Sequence, residues 1–150
     1  MWNQKRSLAL SKLFTLLFMA GLAAVLLFAP RLVKWLILFS INAKPGYFWF
    51  YLATIYTGGV FAAALLYNMY RLLHCIGLGQ VFTNKNVAFL RHISWCCFIG
   101  AVICLVSGLG YYLPWLVVGV AAAFMGLVVR VVKNIVAQAI ILKEENDFTI

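Results

Sequence analysis

The sequence predicts an all-α integral membrane protein: four transmembrane helices, an interfacial segment after the first helix, and a fourth helix extending into the cytoplasm. Three observations predict it. Of 150 residues, 66% are hydrophobic and 10% are charged, whereas a soluble domain has about 45–50% apolar and about 25% charged residues. So few charges cannot cover a water-facing surface, and so much apolar surface does not stay disordered. The apolar residues also fall into long uncharged runs, of the roughly twenty residues that a bilayer crossing needs. Finally, the charge is sorted by position. There are twelve Lys and Arg against three acids, and Glu144, Glu145 and Asp147 all lie near the C-terminal end. The chain reads as a single membrane domain over residues 1–150.

The first helix is expected over about 10–30. A basic head carries Lys5, Arg6 and Lys12, and an uncharged run follows from Leu13 to Ala29, stopped by Pro30. A secretory leader also begins basic and then apolar, but its apolar part is about 7–15 residues long. This run is longer and other spans follow, so a retained helix is the expectation. Residues 31–46 are expected to lie at the membrane surface. Arg31 and Lys34 interrupt a stretch too short to cross, Trp35 suits headgroup depth, and Pro45-Gly46 suits a turn. The alternative is a continuation of the first helix.

The second helix is expected over about 47–76. It opens on an aromatic belt, Phe48-Trp49-Phe50-Tyr51, and ends at Gly77-Leu78-Gly79. Thr83 or Asn84 is the expected N-cap of a third helix over about 84–112. That helix begins outside the membrane with Lys85, Asn86, Arg91 and His92, and leaves near Tyr111-Tyr112. Pro114 opens the fourth helix in its first turn, where the missing N–H costs nothing. This helix is apolar through Val129 and runs on to about Glu145. Arg130, Lys133, Asn134 and Gln138 form a polar stripe along its extension.

Charge counting sets the orientation. The head, the link between helices two and three (Arg71, Lys85, Arg91) and the C-terminal segment (Arg130, Lys133, Lys143) hold most of the basic residues. Arg31, Lys34 and Lys44 lie on the other side. The positive-inside rule then places both termini in the cytoplasm, with four passes. The basic balance is thus a topology signal and a source of lipid headgroup contacts. Direct nucleic-acid binding is not expected, because no recognition motif for it occurs.

Small residues recur at four-residue steps: Thr54, Gly58, Ala62 and also Gly59, Ala63; Gly100, Cys104, Gly108; Gly119, Ala123, with Gly126 nearby. Such stripes let helix backbones approach in lipid. They suit a tight four-helix bundle; the alternative is a homo-oligomer in which one stripe serves self-association.

Candidate chemistry is sparse. Cys75, Cys96, Cys97 and Cys104 form no C-x-x-C pair, and they suit small apolar filling. His74 and His92 flank the link between helices two and three. They suit unliganded interface residues better than a haem or metal site, so no cofactor and no metal is expected. No Asp or Glu lies within a span, which disfavours a coupled pump. No nucleophile–base pair is visible, so the chain does not read as an enzyme. What remains is a cytoplasmic docking constellation. The acidic tail, Glu144, Glu145 and Asp147 with Phe148, faces a basic link carrying Phe82, Lys85, Asn86, Leu90 and Arg91. Phe148 and Ile150 can cover Phe82, Val87 and Leu90 if the tail docks; otherwise the tail is a solvated end.

Two stretches carry a family resemblance. Residues 81–93, with Phe82, Thr83, Asn86, Leu90, Arg91 and Ile93, and the ending Leu142-Lys143-Glu144-Glu145-Asn146-Asp147-Phe148-Thr149-Ile150 resemble the YoaS-like bacterial membrane family, a domain of unknown function. In that family's ending, Leu commonly stands where Phe148 stands here. The resemblance implies a four-helix cytoplasmic-membrane protein without an enzyme activity. It also implies a neighbouring gene for a small helix-turn-helix transcription factor, and so a DNA-binding regulator as partner. The expected function is non-enzymatic and regulatory, exerted through the cytoplasmic link and tail. The alternatives are an oligomeric small-molecule transporter or channel subunit and, behind it, a haem-binding membrane subunit.

Overall fold

The computed structural model describes residues 4–41 and 43–148 of the chain, and all regular structure among them is helical. Four long helices follow one another: α1 (Gln4–Phe39), α2 (Phe48–Gly77), α3 (Asn84–Gly110) and α4 (Pro114–Phe148). All four are long and apolar enough to cross a bilayer, which marks a multi-pass membrane protein. A short 3-10 turn, Pro45–Tyr47, leads into α2.

The helices alternate in direction. Leu8 and Lys12 of α1 lie against Gly77 at the end of α2, and Leu26 lies against Gly59 in its middle. Cys97 of α3 meets Gly126 of α4, and Leu105 meets Gly119. Thr54, early in α2, meets Ser107, late in α3. The start of α1, the α2–α3 link and the far end of α4 therefore share one end of the molecule, called the termini end below. The α3–α4 link lies at the other.

At the first helix the structure follows the alternative reading: residues 31–39 continue α1, which does not break at Pro30. Pro30 removes one backbone donor, which leaves the Leu26 carbonyl without its usual helical partner. The helix runs on regardless, because proline's fixed φ is helical and because packing rewards continuity. Ala29 and Val33, one turn apart on the same face, are both buried. Breaking the helix at Pro30 would turn Val33 out of that contact. Past Phe39, Ser40 shares a 3.2 Å hydrogen bond with the Tyr112 hydroxyl, which ties the end of α1 to the α3–α4 link.

α1 packs on α2, α2 on α3, and α3 most extensively on α4; no comparable packing joins α1 to α4. The bundle is accordingly open on one side and not closed as a tight four-helix bundle. The small residues divide between its two faces. Added Cβ atoms at Gly59, Gly108, Gly119 and Gly126 would press on neighbouring helices, but at Gly58 and Gly100 they would meet nothing within 4 Å. Those two glycines instead line a cavity of about 580 Å³ whose walls come from all four helices.

Candidate functional site

The termini end is built around the α2–α3 link. α2 stops at Gly77, and Gly79 adopts φ +78°, a left-handed conformation that glycine reaches without strain. The Gln80 amide then donates to the Cys75 carbonyl at 3.2 Å, which closes the helix end. The Lys12 ammonium lies beside Gly77, where the negative end of the α2 dipole favours a cation.

Asn86 holds the rest of the link. Its side-chain amide donates to the Gln80 carbonyl at 2.6 Å and to the Val81 carbonyl at 2.8 Å. It is 1% exposed. Thr83 stands at the N-cap position in extended conformation, but its hydroxyl caps nothing. Asn86 therefore does the tethering from inside the first turn. Below it, Leu72, Leu90, Ile93 and Cys97 form a buried cluster, flanked by Phe89 and Val136. This cluster ties α2, α3 and α4 together at the termini end.

The expected docking residues thus separate into two sets. Asn86 and Leu90 are buried, hold the link, and present no side chain to a partner. Phe82, Lys85 and Arg91 are exposed. Glu144, Glu145, Asp147 and Phe148 are exposed too, and they belong to α4, which runs beyond the expected end at Glu145 as far as Phe148. Phe148 is 90% exposed, so it covers none of Phe82, Val87 or Leu90. Thr149 and Ile150, the remainder of the tail, lie outside the described residues. His74 and His92 are both exposed, and no group of three or more metal-ligating side chains gathers among the described residues.

The outward reach of α4 is the main feature of this end. At about 1.5 Å per residue, its thirty-five residues extend about 52 Å, against a hydrocarbon core of about 30 Å. With Pro114 at one boundary of that core, Leu142 falls about 12 Å past the other and Phe148 farther still. Ile141, Leu142 and Phe148 are nevertheless exposed large apolar residues.

Three further arrangements were not foreseen from the sequence. At the end opposite the termini, the belt aromatics close into a cluster. Tyr51 meets Tyr111 edge-on at 4.7 Å and Tyr112 at 5.7 Å, and Tyr47 stacks on Tyr111 at 5.8 Å. The Tyr111 hydroxyl donates to the Phe50 carbonyl at 3.0 Å and also contacts the Thr54 hydroxyl. Thr54 and Ser107 share a buried 2.8 Å hydrogen bond. The tyrosines were legible as interface residues, but not as partners of one another.

The second arrangement is the open cavity. Leu26, Gly58, Gly100, Cys104 and Met125 are among its mostly apolar lining. The Trp115 indole nitrogen belongs to the same wall and is buried without a hydrogen-bond partner. The third is a smaller pocket of about 160 Å³ between α3 and α4, lined by Arg91, Ser94, Trp95, Arg130 and Lys133. Its floor is fixed by Ser94, whose hydroxyl donates to the Gly126 carbonyl at 2.9 Å.

No curated protein and no solved structure matches the chain. A family model described as a protein of unknown function (DUF2975) matches residues 39–150. The match runs from the end of α1 through α4, taking in both motif stretches, and the chain belongs to that family.

Proposed function

We propose that this chain is a non-enzymatic regulatory membrane protein of the bacterial inner membrane, with both termini in the cytoplasm. It acts there by binding a partner protein along the projecting part of α4. One observation carries this reading: Ile141, Leu142 and Phe148 are exposed near the far end of a helix about 52 Å long, which exceeds a bilayer core of about 30 Å. Apolar side chains in water disfavour the free state by about 25 cal/mol per Å² of area that a partner could cover. The partner expected from the family resemblance is a small helix-turn-helix regulator. The flanking acids Glu144, Glu145 and Asp147 suit a basic partner surface.

The reading is tested by co-purification of that regulator from crosslinked native membranes. The full chain should retain it, and a chain lacking residues 144–150 should lose most of it. Equal recovery with both chains, or recovery with neither, would count against the proposal.

The apolar cavity favours a second reading, an oligomeric small-molecule transporter or channel subunit. Gly100→Leu fills that cavity and leaves the α4 projection intact. Loss of an apolar-solute flux with retained regulator binding would support the second reading over the first.

A further inference from the structure

We infer that the pocket between α3 and α4 is a binding site for the phosphate of an anionic phospholipid headgroup. Arg91, Arg130 and Lys133 converge on it, with Trp95 beside them and Ser94 at its floor. The three cations are brought together by the antiparallel register of α3 and α4, which sets Cys97 against Gly126. No acid precedes Glu144 in the sequence. Glu144 lies about 16 Å farther along α4 than Lys133. Gathering like charges without a counter-charge is unfavourable, and a bound anion relieves it. Arginine pairs bidentately with phosphate oxygens, and lysine adds a point charge.

Depth selects lipid over a soluble anion. Arg91 lies about 28 Å along α3 from Gly110, and Lys133 lies about 28 Å along α4 from Pro114. With the α3–α4 link at one boundary of a core about 30 Å thick, the pocket falls at the other. That is headgroup level, where an exposed Trp95 ring is also at home. Away from the pocket, Val102 and Val106 continue the Trp95 face of α3, and Leu127 lies one turn from Arg130 on α4; all three are exposed. Acyl chains can lie along that surface while the phosphate sits among the cations. The volume of about 160 Å³ suits a headgroup phosphate. It is below the roughly 300–1,000 Å³ typical of drug-sized ligands.

The test is native mass spectrometry of the full chain in non-ionic detergent. The chain is titrated with phosphatidylglycerol, with phosphatidylcholine of the same acyl chains, and with inorganic phosphate. Phosphatidylglycerol should bind at least about tenfold more tightly than phosphatidylcholine, since 1.4 kcal/mol corresponds to a factor of ten. The variant Arg91→Gln/Arg130→Gln/Lys133→Gln should lose that preference. A control of equal charge change elsewhere, Arg71→Gln/Lys85→Gln/Lys143→Gln, should keep it. Equal loss in both variants would mean unspecific attraction and would overturn the proposal. So would displacement of the lipid by inorganic phosphate at comparable concentration, which would indicate a soluble-anion site. If the triple variant does not fold, the wild-type comparison still decides, because the absence of a phosphatidylglycerol preference there would also overturn the proposal.

Discussion

Asn86 shows how one polar side chain sets the form of the termini end. Its amide reaches back to the Gln80 and Val81 carbonyls and leaves its own oxygen without a partner. Losing both bonds in Asn86→Ala should cost about 1–3 kcal/mol. It should also speed protease cleavage in residues 77–83. The measurement is thermal unfolding in detergent together with limited proteolysis, and an unchanged cleavage rate would show that the link is held by something else. Asn86 stood out in the sequence because it belongs to a motif, but its burial did not. A polar residue next to a lysine in a link reads as exposed. Only the fold places Gln80 and Val81 over it. Arg71 is a similar case. It reads as a free topology marker, yet its guanidinium donates to the Tyr67 hydroxyl at 3.0 Å and sits 5.6 Å from the centre of the Phe89 ring.

At the scale of elements, the spans were legible because a bilayer demands long apolar helices whatever their neighbours are. The two places where the expectation slipped are both local signals overruled by packing. Pro30 reads as a stop, but Ala29 and Val33 are buried on either side of it and α1 continues. The small-residue stripes were legible as packing faces, but not which helix each would meet. Gly58 and Gly59 are adjacent in sequence, yet only Gly59 lies against α1. This difference gives a paired prediction. At Gly108 an added Cβ would lie 2.7 Å from the Leu116 backbone nitrogen, whereas at Gly100 it would meet nothing. Gly108→Ala should therefore destabilise the α3–α4 pair by about 1–3 kcal/mol. Gly100→Ala should leave the melting temperature near that of the wild type or raise it slightly. Equal effects at the two positions would contradict the packing.

The whole molecule is a row of four helices, open between α1 and α4, with one end locked by tyrosines and the other projecting. The open side could not be read from composition. Every helix is apolar nearly all round, so periodicity does not say which faces stay uncovered. The convergence of Arg91 with Arg130 and Lys133 was hidden for a related reason, since it depends on register between helices. Orientation is the property that the sequence addresses more directly than the fold does, through the sorting of basic residues. Alkaline phosphatase, active only outside the cytoplasm, should be active when fused after Tyr112 and inactive when fused after Phe148; the reverse pattern would invert the topology.

The most direct measurement concerns the exposed apolar residues at the far end of α4. A photo-crosslinking amino acid at Leu142, in native membranes, should give an adduct with a second protein. The same probe at Val117, which is exposed on the membrane-spanning part of α4, should give lipid adducts only. If Leu142 yields lipid adducts alone, or none, the projecting face of α4 is not where this protein meets a partner.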